Sequence, residues 1–511
     1  MFYMHSKRRG SAEILHRGIR DLSYRGTMQC RYRRDRTEGQ MNNVIGTEHP
    51  TERRFTPASA RRTAHRRRMR KSDAMIASLW GSAAAAVALF LAYGGAGKFG
   101  TLADAISSLG IVAGLIGTDF ILVMLVLAAR IPLIDRTVGH DRAIAVHRSL
   151  GKPALYLLLG HGVLLLIGYG LASRINPIAE IGPMLAIPDM PLAFIGLSLL
   201  IVVAITSLVA VRKKFSYEGW HLVHLLSYVS VAFALPHQFS VGGILASGSL
   251  ERAYWICFYI FAFGSIATFR FAKPFFSSIR HRLRVESVDQ IAPGVVSITM
   301  SGKHLRSLRS AGGQFFVWRF WSEHTWWHSH PISLSSIPTD ATVRITVRNL
   351  GAGSNSITQV PIGTRVWFEG PYGVFTDAGR TAPNLAVVVA GIGITPVRAF
   401  LEDANIRPGE ATILLRASTV EETYLWDEVI ELARSKGATV YTMVGSRARN
   451  GRQWMTENDS RRGVTLASFF PKITESDLYL CGPTGWLDLV ESEARGLGIA
   501  EHQLHTERFD W

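Results

Sequence analysis

His147-Arg-Ser-Leu-Gly-Lys-Pro-Ala-Leu-Tyr-Leu-Leu-Leu-Gly-His161 sets two imidazoles at the two ends of an apolar stretch. A second stretch, Trp220-His-Leu-Val-His224 running on to Pro236-His237, repeats the arrangement. The first pair is fourteen residues apart and the second thirteen. At about 1.5 Å per residue, each pair is separated by roughly 20 Å along a helix. That is most of a hydrocarbon core about 30 Å thick. A lone histidine in such a helix is commonly a hydrogen-bonded packing residue. Two pairs at matched depth are different, because a polar ring in lipid is costly and marks function. Four rings at two depths on two helices are what two stacked haems need, each iron held by an imidazole from either side. His147, His161, His224 and His237 are therefore the candidate metal ligands.

Around these stretches the chain divides by composition. It has 511 residues, 48% of them hydrophobic, with a formal net charge of +17. Residues 1–72 hold 19 Lys/Arg against 6 Asp/Glu, so most of the charge sits at one end. This basic head has few aromatics and no apolar pattern. It predicts a disordered cytoplasmic tail over 1–73 and argues against a nucleic-acid partner. Three scattered cysteines exclude a disulfide framework and an iron–sulfur site.

Six apolar runs of spanning length follow, near 74–97, 107–129, 147–171, 191–211, 220–240 and 252–272, giving a membrane domain over 74–272. Arg130, Arg136, Arg142 and Arg148 surround the second connection, and Arg212, Lys213 and Lys214 follow the fourth run. Both termini are thus expected in the cytoplasm. His147 and His224 then share the inner depth, and His161 and His237 the outer. Helical phase puts His147 and His161 near one face but not His224 and His237, unless Pro236 kinks the fifth helix. His221 competes with His224 as inner ligand. Asp119, inside the second run, is either a proton relay or a hydrogen-bonded packing acid.

The stretches His147-Arg-Ser-Leu-Gly and Trp220-His-Leu-Val-His, with His237 after them, resemble the ferric reductase and NADPH oxidase transmembrane family. That resemblance implies a six-helix flavocytochrome with two b-type haems on the third and fifth helices.

Past residue 280 the periodicity changes. Val343, Ile345 and Val347 alternate with Arg344, Thr346 and Arg348, the period of a strand. Short strands with Gly312-Gly313 among their turns predict a small antiparallel β-barrel over 280–376. His330-Pro331-Ile332-Ser333 resembles the flavin motif of the ferredoxin–NADP reductase superfamily, in which a strand with a small hydroxyl residue admits a planar isoalloxazine. Gly351-Ala-Gly353-Ser354 resembles its second motif, whose backbone N–H groups reach the FAD pyrophosphate, with Arg348 adding charge. Glu369-Gly-Pro-Tyr-Gly373 matches the end of that barrel. His324, His328 and His330 have no common metal spacing.

Residues 380–511 read as an α/β nucleotide-binding domain. Leu385–Ala390 is a buried parallel strand by its continuous apolar run. Gly391-Ile-Gly393-Ile-Thr395-Pro396 then gives a glycine turn and a helix start, a pyrophosphate site. Leu478-Tyr-Leu480 runs into Cys481-Gly482-Pro483, which in the superfamily sets the Cys beside the nicotinamide. Glu507-Arg-Phe509 resembles the family's aromatic ending over the flavin, with Trp511 as the alternative ring. Arg416, Ser446 and Arg447 suit a 2′-phosphate, favouring NADPH while leaving NADH open.

The expected fold is a six-helix transmembrane haem bundle, then an antiparallel β-barrel FAD domain, then an α/β nucleotide-binding domain. The expected function is that of an integral protein of a bacterial cytoplasmic membrane. It takes electrons from cytoplasmic NAD(P)H through FAD and two haems to an external acceptor, ferric chelate or oxygen. The alternative is a non-enzymatic membrane cytochrome or haem sensor with a degenerate reductase module.

Overall fold

A computed structural model describes residues 58–208, 211, 217–241, 245, 249–323, 325–448 and 453–509. Among them, six helices are long and apolar enough to cross a membrane. These are α1 Ala58–Ala92, α2 Leu102–Ala128, α3 His140–Ser173, α4 Met190–Ser207 and α5 Tyr217–Ser240, then α6 Leu250–His281. The described residues fall within one compact unit.

Two expectations need correction at helix ends. Charge alone predicts a disordered segment up to residue 73, yet residues 58–73 are the first turns of α1. The run Ala58–Ser72 has no glycine or proline and is rich in Ala and Arg, both strong helix formers. At this end Arg61 is buried and donates to the Ala382 and Asn405 carbonyls at 3.3 and 3.5 Å. The sixth helix also outruns its apolar stretch. It continues to His281, passing through a π-helical segment at Ile266–Ala272.

The bundle packs most closely between α2 and α3, and glycines make that possible. A Cβ on Gly114 would lie 2.5 Å from His161 Nδ1, and one on Gly117 would lie 2.9 Å from Leu158. A row of small residues lets two membrane helices approach backbone to backbone. Asp119 is buried here and accepts from Ser82 Oγ at 3.0 Å and Tyr254 Oη at 3.4 Å. Those partners satisfy the acid within the bundle.

The first soluble part has six strands: β1 Arg284–Ala292, β2 Val295–Ser301, β3 Phe315–Phe320, β4 His330–Ser333, β5 Thr342–Arg348 and β6 Val366–Tyr372. They form two three-stranded antiparallel sheets, ordered β1-β2-β5 and β4-β3-β6. The expected barrel is therefore not a continuous ladder. Its two seams are single bridges, Leu334↔Ile345 and Arg284↔Arg365. Phe316, Trp318, Phe320 and Ile345 fill the space between the sheets.

The second part is a five-stranded sheet of β7 Asn384–Ala390, β8 Ala411–Ala417, β9 Thr439–Val444, β10 Ser476–Pro483 and β11 Leu504–Phe509. All its neighbours are parallel, in the order β11-β10-β7-β8-β9. The chain leaves β7 toward β8 and later returns on the other side at β10. This reversal of strand order is where open α/β sheets bind ligands. The two soluble parts meet at Gly312, where a Cβ would fall 2.1 Å from the Ala399 carbonyl oxygen. Beside this contact Glu428 accepts from Arg344 at 2.7 Å and from Arg398 at 2.8 Å.

Candidate active site

The membrane histidines owe their orientation to α2. His147 Nδ1 donates to the Met124 carbonyl at 3.1 Å, and His161 Nδ1 donates to the Gly110 carbonyl at 2.9 Å. A carbonyl can only accept, so both Nδ1 atoms carry the proton and both Nε2 lone pairs are free to ligate. The two carbonyls are fourteen residues apart, as are the two histidines, so one helix repeat sets both rings. The ring that meets His147 is His224, with centroids 6.2 Å apart. Two metal–nitrogen bonds of about 2 Å each, plus half of each ring, put axial imidazole centroids roughly 6 Å apart. The His147–His224 separation is of that size. His224 stacks on Trp220 at 5.1 Å, and its Nδ1 lies 3.4 Å from Ser207 Oγ. His161 and His237 are within electrostatic reach of each other at the other end of the two helices, with Pro236 inside α5 just ahead of His237. His221 instead lies in the field of Arg130, Arg270 and Arg319.

Two of them, Arg130 and Arg270, join the membrane helices to the first sheet part. Glu369 on β6 accepts from Arg130 at 2.9 Å and from Arg270 at 2.8 Å. The Arg130 guanidinium also sits over the Tyr372 ring, 5.0 Å from its centroid. Sequence reading sees Glu369-Gly-Pro-Tyr only as a barrel ending and misses this clamp. Its partners lie 239 and 99 residues away, beyond any local pattern. Gly114 is missed too, although glycines at 110, 114 and 117 carry the small-residue spacing that would find it.

In the flavin motif, β4 pairs with β3 so that Ser333 is buried while His330 and Ile332 are half-buried. The helix α7 Ala352–Thr358 starts after Gly351. A Cβ on Gly353 would lie 3.6 Å from the His330 ring, so the two motifs adjoin. Ser354 Oγ accepts from the Leu350 N–H at 2.8 Å and donates to the Gly351 carbonyl at 3.1 Å, fixing the turn. Arg348 is less available than expected, because it pairs with Glu422 at 2.8 Å. Burial opposes ionisation of that carboxyl, but the Ser418 N–H and Arg348 outweigh it and hold it below the usual range.

The nucleotide motifs converge at the strand-order reversal. Gly391 has φ +55°, and a Cβ on Gly393 would fall 2.6 Å from the Cys481 carbonyl oxygen. The helix α8 Ile394–Asp403 begins there with Thr395 and Pro396, and Thr395 Oγ1 donates to the Ile392 carbonyl. Cys481 is fully buried, and burial, with Glu507 next, pushes its thiol well up. Phe509 pairs in register with Pro483 at the same end of the sheet. Trp511 lies outside the described residues. Arg416, buried at the end of β8, is within electrostatic reach of Arg447. Ser446 and Arg447 are exposed after β9.

Comparison with known proteins follows the same division. Residues 113–235 match the model of the ferric reductase like transmembrane component. The ferredoxin–NADP reductase B of Sorangium cellulosum is 33% identical over 174 residues, 31% of this chain and 68% of that protein. This chain belongs to the ferredoxin–NADP reductase family, with a ferric reductase-like transmembrane component ahead of the reductase module. Two further relatives match over part of their length. A flavohemoprotein of Oceanobacillus iheyensis is 25% identical over 193 residues, 36% of this chain and 47% of that protein. The ferredoxin reductase component of a 3-ketosteroid-9-alpha-monooxygenase from Mycobacterium tuberculosis is 26% identical over 212 residues, 40% of this chain and 56% of that protein. The chain thus spans about half the length of these two. Among solved structures, the FAD/NAD-binding domain of nitric oxide dioxygenase from Vibrio cholerae aligns with 45% of this chain and 98% of its own at 20% identity, with a TM-score of 0.35.

Proposed function

We propose that this reductase-family membrane protein passes electrons from cytoplasmic NAD(P)H to an acceptor at the outer face, ferric chelate or oxygen, using FAD and two b-type haems. The observation that carries the reading is the pair of α2 carbonyls that turn His147 and His161 with Nε2 outward at two depths. His147 and His224 would hold the inner haem, and His161 and His237 the outer. His330 to Ser333 and the Gly351–Ser354 turn would hold FAD. Gly391, Gly393, Thr395 and Pro396 would take the nucleotide pyrophosphate, with Cys481, Gly482, Pro483 and Phe509 at the nicotinamide end. Arg416, Ser446 and Arg447 would select a 2′-phosphate, favouring NADPH over NADH. When bound, FAD accepts a two-electron hydride and releases single electrons, which haem carries onward.

The protein's own part is positioning. Burial pushes the Cys481 thiol well up, so at the nicotinamide end it would serve as a neutral packing group. Glu369 ties the part that would hold the flavin to the membrane helices by gripping one arginine after α2 and one on α6. The test is a proteoliposome with NADPH on the side of the reductase module and an impermeant ferric chelate on the other. Reduction of the chelate, with two haems per chain by pyridine haemochrome, supports the reading. One haem per chain, or NADPH oxidation without any reduction across the bilayer, overturns it.

A further inference from the structure

Helix α6 does not stop where its apolar run stops. Beyond Ala272 it carries Lys273-Pro-Phe275-Phe276-Ser-Ser-Ile279-Arg280-His281 out of the bundle. One face of this extension is packed: Ser278 and His281 are buried, and Ser278 Oγ accepts from the Phe368 N–H at 3.2 Å. Another face is exposed. Phe271, Phe275 and Ile279 recur along it at intervals of four, and Phe276 beside them is 67% accessible.

The apolar face runs on from the helix into the first sheet part. Phe276 meets Phe275 with ring centroids 5.5 Å apart, and Phe275 meets Trp367 on β6 at 5.8 Å. Trp367 then meets Trp321 at 5.0 Å, and Trp321 meets Trp326 at 6.5 Å. These rings form one ridge from α6 to the β3–β4 connection. Its far end is exposed too, with Trp321 42% and Trp326 53% accessible. The connection is built to hold them there. Thr325 is buried and donates to the Phe320 carbonyl at 2.8 Å, and the Trp326 N–H donates to the Ser322 carbonyl at 3.2 Å. A contiguous exposed apolar patch of this kind marks an interaction surface.

What covers the ridge follows from where it begins. Phe271 closes the apolar run of a helix that crosses the membrane. Phe275 and Phe276 lie about 6–8 Å further along the axis, within a headgroup layer about 5–8 Å deep. Tryptophan is enriched at that depth, because its ring is apolar and its N–H polar. Lys273 and Arg280 are exposed three residues before and four after Phe276, on its side of the helix, where they suit anionic headgroups. Glu323, an exposed acid beside Trp321, keeps that end of the ridge at the surface.

We propose that this ridge lies on the lipid leaflet facing the reductase module, so that the first sheet part rests on the bilayer through Trp321 and Trp326 as well as hanging from α6. The inference needs the membrane span and neither the flavin nor the haem assignment.

The experiment places full-length protein in nanodiscs of anionic lipid brominated either near the headgroup or at the chain end. Subtracting the emission of Trp326→Phe from that of the parent isolates the Trp326 contribution. Headgroup-level bromines should quench it, chain-end bromines should not, and aqueous iodide should reach it poorly. Trp454→Phe, at a buried ring of the nucleotide-binding part, is the control whose contribution no quencher should touch. A Trp326 contribution open to iodide and indifferent to both lipids overturns the proposal. Equal quenching of the Trp326 and Trp454 contributions overturns it as well. Shielding from iodide only in discs that hold two chains also overturns it and assigns the ridge to a second copy of the chain.

Discussion

At the residue scale, two hydrogen bonds set the tautomers of two of the four histidines. Sequence spacing alone reveals the depths, because depth is a count of residues along an apolar run. It does not reveal direction: the thirteen-residue spacing of His224 and His237 disagrees with an ideal helix, and the Met124 and Gly110 carbonyls belong to another helix. Replacing His161 or His237 with Ala should halve haem content and stop chelate reduction, while NADPH still reduces the flavin. His221→Ala should keep both haems; haem per chain and the reduced-minus-oxidised spectrum check each variant. Cys481 supplies a second residue-scale prediction. Folding raises its pKa by burial, so its contribution to stability is complete below about pH 8.5 and declines as pH climbs past that value. Iodoacetamide at pH 9 should label Cys481 only after denaturation, as peptide mapping will show.

At the scale of elements, glycines set the approach of one segment to another. Gly114 on α2 leaves room for His161, and Gly312 leaves room for the Ala399 carbonyl on α8. Overpacking costs about 1–3 kcal/mol. Gly114→Ala should therefore lose the outer haem selectively, leaving a one-haem spectrum in protein that still inserts. Gly312→Ala meets backbone rather than a movable side chain, so it should lower the melting temperature of the reductase module by several degrees in a fluorescence-monitored melt. The elements themselves are legible. Apolar runs locate all six spans, though α1 and α3 begin before their runs and α6 ends after its own, and continuous or alternating patterns mark the parallel and antiparallel strands. What escapes is where polar sequence continues a helix. Ala58–Ser72 reads as charge, although its residue types favour helix. The barrel's seams escape as well, since single bridges such as Arg284↔Arg365 leave no periodic trace.

At the scale of the whole molecule, Glu369 couples two halves that local sequence treats as strangers. Its bonds to Arg130 and Arg270 are charge-assisted and mostly shielded, with the Glu369 side chain 20% exposed. A hydrogen bond to a charged group contributes about 1.5–3 kcal/mol. Glu369→Gln should slow electron delivery into the membrane half at least several-fold, while NADPH oxidation by soluble ferricyanide stays at the parent rate. Stopped-flow reduction of flavin and haem in the same sample separates the two. Arg270 also lies within the π-helical segment Ile266–Ala272 of α6. A π turn is an α-helix carrying a residue too many for its pitch. It works as an angular shim: removing one residue there lets the segment relax to α-helix and keeps the downstream phase, whereas adding one in the regular helix beyond it swings everything downstream by about 100° about the helix axis and pushes it on by about 1.5 Å. The reductase module would still fold and still oxidise NADPH, but it would point away from the haems. Inserting one alanine between Lys273 and Ser278 should uncouple the two halves in this way, whereas deleting Thr268 from the π segment should leave them coupled.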